Sequence, residues 1–131
     1  MATKPRLDYR DGTLLAETPR FRHVVPGTAV TGIIECRMAD PINHGEEPFH
    51  IVTTADEIVV AGPFVDGALG AVEALSRQRP GIRRGHRLVR NIPYRFREPG
   101  FLRLRLFPIA GLVVAPRAAL SAFEFASEDK P

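Results

Sequence analysis

The sequence predicts an α+β fold rich in strands, a strongly bent sheet or partly closed barrel carrying one amphipathic helix and a short C-terminal helix. Three observations carry that prediction. Short apolar and β-branched runs alternate with turn signals along the chain, whose 12 prolines and 11 glycines are spread as punctuation. Only one stretch, residues 65–75, repeats its apolar side chains at helical spacing. A length of 131 residues, 44% hydrophobic and 25% charged, with no internal repeat or long linker, fits one globular domain over 1–131 whose last residues, 127–131, form a frayed tail.

Taken in order, residues 6–10 and 13–16 flank Asp11-Gly12, a two-residue signal for a tight hairpin turn. Residues 20–25 read as a further short strand, Pro26-Gly27 as a turn, and residues 28–37 as a strand on their β-branched content. Residues 40–48 form a polar loop, and 49–53 and 57–61 are two strands around a turn at 54–56. The helix is expected from Val65, Ala68, Leu69, Val72 and Leu75, with Gly62-Pro63 as its start and Pro80-Gly81 as its stop. Leu69 and Val72 are expected to be buried against the sheet. Asp66 is placed in the first turn, facing the positive helix end, and Gly67 and Gly70 are expected to let helix and sheet approach closely. Beyond the helix, residues 87–97, 101–107 and 109–115 are strand-like. Pro116 opens a short helix with Leu120 and Phe123 on its buried face.

The net charge of +3 is unevenly distributed: residues 1–76 carry six basic and eleven acidic side chains, whereas residues 77–105 carry ten arginines against Glu98 alone. The clustering of the arginines is more informative than their number. Cys36 is the single cysteine, which excludes an intrachain disulfide and a multi-cysteine zinc site and fits a reducing compartment. No apolar run approaches the ~18 residues of a membrane span, and no hydrophobic signal region follows Met1-Ala2-Thr3-Lys4-Pro5. The expectation is a soluble, cytoplasmic protein with no membrane partner.

The register of the stretch 92–107 can be argued from side-chain facing. A two-residue Pro99-Gly100 loop mixes charge and hydrocarbon on both faces of the hairpin. A three-residue Glu98-Pro99-Gly100 loop, with Gly100 in the left-handed position, sets Phe96 opposite Leu102, Tyr94 opposite Leu104 and Ile92 opposite Leu106, making one face wholly apolar. The other face then carries Arg95, Arg97, Arg103 and Arg105, with Phe101 and Phe107 interleaved. Arg95 faces Arg103, a like-charge pairing that is unfavourable unless an anion lies over it. Four readings of that face stand: carboxylates of the acidic first half or solvent, an acidic protein surface, nucleic acid, and a small phosphorylated or carboxylated ligand. Few exposed aromatics accompany the cations, which places nucleic acid behind a protein partner.

Metal-capable side chains gather at His44, Glu46, Glu47 and His50, with Cys36 nearby in sequence. Their spacing matches no standard metal signature, and a polar loop with an Asn-His-Gly turn is the plainer reading. His23 and His86 read as surface or core-edge residues. Cys36 reads as a small core residue rather than a nucleophile, with Glu35 facing the other way on the same strand. The turn at 62–70 lacks G-x-G-x-x-G and Gly-Lys-Ser/Thr, and no G-x-S-x-G elbow occurs, so no cofactor is expected and no catalytic residue is assigned.

Function is therefore weighed by class. The leading expectation is a small accessory or interaction subunit presenting the arginine-rich hairpin to an acidic protein partner or to another copy of itself. The alternative is a small enzyme or ligand-binding domain whose pocket, between the 44–50 loop and the basic hairpin, binds an anionic ligand or a metal.

Overall fold

In the computed structural model, residues 4–38, 48–63, 65–91 and 111–125 are described. The stretch 92–110, with Gly100 and the expected basic face, lies outside them, as do His44, Glu46 and Glu47 and the tail 127–131. The chain is α+β and rich in strands, and its strands divide between two sheets.

β1 (Arg6–Arg10), β2 (Thr13–Glu17) and β3 (Arg22–Pro26) form an antiparallel meander. Its first turn has Asp11 at φ 54° and Gly12 at φ 76°, the two positive dihedrals of a type I′ turn, whose twist matches that of the strands it joins. The register sets Leu7 opposite Ala16 and Leu14 opposite Val25, so these four side chains share the buried face.

A 3-10 turn at Gly27–Ala29 leads into β4 (Val30–Met38), followed by β5 (Phe49–Thr54), β6 (Glu57–Ala61), the helix α1 (Ala68–Gln78), β7 (Arg83–Asn91) and β8 (Leu112–Pro116). A 3-10 segment at Arg117–Ala122 and the two-residue β9 (Glu124–Phe125) follow. The larger sheet has the order β8-β6-β5-β4-β7-β9. Among the described strands its one parallel pair, β4 with β7, needs a long connection, and α1 lies within it. All six residues of β5, at the centre, are buried, which is why that strand reads as a nearly continuous apolar run instead of an alternation.

One face of this sheet packs Val30, Ile33, Val52, Val59, Ala61 and Leu112 against α1 and the meander. The other packs Cys36, Phe49, Ile51, Ile58, Val60, Val89 and Ala115 under Phe123 and the 3-10 segment, with the Phe49 and Phe123 rings 6.5 Å apart. Phe123 is buried and Leu120 half-buried, as expected of the segment that Pro116 opens.

The helix departs from expectation in three ways. It begins at Ala68, five residues after Pro63, because the preceding chain is held as an extension of β1: Leu7 donates to the Asp66 carbonyl at 2.9 Å and Asp66 donates to the Pro5 carbonyl at 3.0 Å. Asp66 is thus outside the first turn, and its carboxylate lies 3.6 Å from Lys4. The buried stripe is Ala68, Ala71, Val72 and Leu75, while Leu69 is 58% exposed. At 3.6 residues per turn Leu69 points roughly 110° from the centre of that stripe. Of the two glycines only Gly67 serves close approach. It has φ 76°, and a Cβ there would sit 2.7 Å from the Leu7 carbonyl oxygen, whereas nothing lies within 4 Å of a Cβ at Gly70.

Candidate functional site

Strand register brings the informative side chains into one row on the helix-covered face. Leu112, Ala61, His50, Glu35 and His86 are successive cross-strand neighbours on β8, β6, β5, β4 and β7. The first three are buried, Glu35 is half-buried and His86 is exposed. The gradient arises because α1 and the meander cover the β8–β5 side while β7 contributes no side chain to that core. Arg84, His86 and Leu88 alternate along the uncovered side of β7, and Leu88 is 49% exposed.

Glu35 turns to the exposed side of the row. Its Oε1 is 2.9 Å from His86 Nδ1, and its Oε2 is 3.8 Å from the Arg37 guanidinium. His50, its neighbour on the covered side, is 4% exposed, and its Nε2, sealed from solvent, meets no hydrogen-bond partner among the described residues. An unmet buried polar atom costs about 1–3 kcal/mol. Burial pulls the His50 pKa below its ordinary 6.5, opposed by Glu35 and assisted by Arg84 and Arg37, with Glu73 on α1 opposing weakly. The imidazole is therefore neutral at neutral pH.

His50 lines a pocket of about 270 Å³ with Pro48, Pro63, Val65, Leu69 and the glycine-rich start of α1. That start has no side-chain cap and no acidic residue in its first turn. Ala71 donates to the Gly67 carbonyl at 2.9 Å, but among the described residues the N–H groups of Leu69 and Gly70 meet no acceptor. A helix start leaves such donors unpaired unless something outside the helix accepts from them.

Cys36 lies on the opposite face of the sheet from His50 and Glu35, so it does not join them. Burial pushes its thiol up to about 12, which removes the thiolate that nucleophilic or ligand chemistry requires. His23, at the core edge, lies 2.7 Å from Glu57. Among the described residues no group of three His, Cys, Asp or Glu side chains could hold a metal; of the expected metal set only His50 is described.

Among the described arginines of the basic stretch, Arg79 donates to the carbonyls of Gly27 and Val30 at 2.6 and 3.1 Å, and Arg87 stacks over Phe125 at 4.7 Å. Arg83 and Arg84 are exposed and make no hydrogen bond or ion pair among the described residues. The segments 39–47 and 92–110 both leave and rejoin the described chain at one end of the larger sheet, marked by Met38, Pro48, Asn91 and Gly111 and lying beside His50. Sequence reasoning missed Arg84 and Leu88 as surface residues of a strand, although the alternation that places them begins at residue 83. Among the described residues no helix is long and apolar enough to cross a membrane. Comparison with family models, curated proteins and solved structures finds no match.

Proposed function

We propose that this chain is a small interaction subunit that offers a basic surface to the acidic surface of a protein partner, a second copy of the chain included. The observation that carries the reading is the uncovered side of β7. Arg84 and Leu88 are exposed on that side, four residues apart, and among the described residues neither Arg84 nor Arg83, on the strand's other side, makes a hydrogen bond or ion pair. Arg37 is the cross-strand neighbour of Leu88, and an apolar side chain flanked by arginine is a composition favoured where proteins meet. In sequence the same stretch runs on to Arg95, Arg97, Phe101, Arg103, Arg105 and Phe107, which supply the remainder of the surface in this reading. Arginine suits the role because its planar guanidinium pairs with carboxylates through two parallel hydrogen bonds.

Changing Arg95 and Arg103 together to Ser tests it. The variant is expected to melt at the same temperature as the parent or slightly above it, and to lose a protein partner that the parent captures at low salt and releases as ionic strength rises. A lower melting temperature with unchanged, salt-insensitive capture would return these arginines to a structural role. Capture that nuclease abolishes would assign the surface to nucleic acid.

A further inference from the structure

We infer that the outer edge of β7, over residues 83–88, is a strand-addition site that takes an extended acidic segment of a protein partner. The inference rests on the acidic partner proposed above and states how that partner docks. β7 pairs with β4 from Arg83 to Val89, whereas on its other side β9 meets it only at Val89 and Asn91. Among the described residues no other backbone hydrogen bond reaches residues 83–88. In a strand paired on one side, every second residue turns both its N–H and its C=O away from the paired neighbour. This stretch therefore presents a row of alternating donors and acceptors to whatever lies beside it. At about 3.3 Å per residue the open edge is roughly 20 Å long, the length of an ordinary strand.

The side chains along the edge select the occupant. Arg83, Arg84, His86 and Leu88 are exposed, and Gly85 and Arg87 are half-buried. Alternation puts Arg84 and His86 on one face of the strand and Arg83 and Arg87 on the other, so basic groups flank the edge on both sides. Glu35 is the only acidic residue of β4 and β7, and it is already engaged by His86 and Arg37. A second copy's β7 laid along this edge would set arginine beside arginine, a repulsive pairing of the kind that keeps natural sheet edges apart. An acidic strand meets the opposite condition, because its carboxylates come within cross-strand reach of guanidinium groups that can hold them through two parallel hydrogen bonds. Nucleic acid would satisfy the charge but not the backbone. Its phosphates only accept, which leaves the outward carbonyls of β7 facing acceptors, whereas a peptide brings a donor and an acceptor at every second residue.

Titrating the full chain with a short peptide that alternates Glu and Val, followed by amide NMR and hydrogen exchange, tests the inference. In the free chain the amides of residues 83–88 are expected to alternate between protected and freely exchanging, and the peptide should shift and protect the exchanging set saturably. The fully N-methylated peptide keeps the charge but lacks the donors, and should bind about tenfold more weakly or worse. A peptide alternating Lys and Val should fail to bind. Arg83→Glu combined with Arg84→Glu should reverse the preference between the Glu and Lys peptides with little change in melting temperature, because neither arginine makes a hydrogen bond or ion pair among the described residues. Equal binding of the N-methylated peptide would overturn strand addition while leaving a basic surface for an acidic partner. Protection of every amide over residues 83–88 in the free chain would mean that the chain itself occupies the edge, and would overturn the inference alone. Tighter binding of single-stranded DNA than of the peptide would overturn both readings. No binding of the Glu peptide would also overturn the inference, and the salt-dependent capture assay with the Arg95 and Arg103 variant then decides separately whether an acidic partner exists.

Discussion

His50 and His86 flank the same carboxylate, Glu35, in one row of one sheet, yet they live in different solvents. On the side roofed by α1 and the meander the imidazole is buried and held neutral, its Nε2 without a partner among the described residues. On the open side it is exposed and meets Glu35 at 2.9 Å. The difference teaches that what lies over a strand, rather than the residue on it, sets the chemistry of this face. The covered half builds core and a small pocket; the uncovered half keeps its charges and Leu88 in water, free to meet something larger.

The contrast can be broken most strongly from the covered half. Leu75→Ala removes a fully buried side chain from the helix stripe and is expected to destabilise by about 2–5 kcal/mol, measured by denaturant unfolding. Leu69→Ala, on the same helix but outside the stripe, should fall within about 0.5 kcal/mol of the parent. Comparable losses in the two variants would mean that the helix is rotated from the position described.

Gly67 and Gly70 give the next contrast. Gly67→Ala forces a side chain into a left-handed backbone and against the Leu7 carbonyl, and should destabilise by about 1–3 kcal/mol. Gly70→Ala meets open space in a helix and should stabilise by up to about 1 kcal/mol. Equal effects at the two positions would remove the case for a close approach of β1 to the helix start.

A smaller effect comes from protons. Because the folded chain disfavours protonated His50, the unfolded chain takes up the proton first as pH falls below 6.5, and stability falls with it until the lowered folded pKa is reached. His50→Gln should flatten that part of the stability profile, by no more than about 1.4 kcal/mol per pH unit, the limit for one proton. An identical profile in the variant would place the imidazole in water. Cys36 supplies a check on the sheet's other face, since its thiol, pushed up to about 12, should react with iodoacetamide only after unfolding.

Local signals were legible wherever the chemistry is local. Asp11-Gly12 specifies its turn because few residues accept positive φ. The strand Glu57–Ala61 and the central β5 stand out because branched apolar side chains need a sheet with both faces covered. The start of α1 was hidden, since the backbone pairing of Asp66 with β1 is a contact over some sixty residues of sequence that no helical periodicity reveals. The same holds for the site. His50 is recognisable as a residue with chemistry, but its isolation from a partner depends on α1 folding over β5 and on Glu35 turning to His86. Arg84 escaped notice because the parallel pairing of β7 with β4 extends that strand four residues before its apparent start, and without that extension Leu88 has no exposed row to belong to.

The central claim, that the uncovered side of β7 exists for contact and not for packing, is tested most directly by Arg84→Ser combined with Leu88→Ser, reading unfolding free energy and salt-dependent association side by side. The account predicts a stability within about 0.5 kcal/mol of the parent, together with a clear loss of partner binding at low ionic strength. A destabilised variant whose association is unchanged would contradict it.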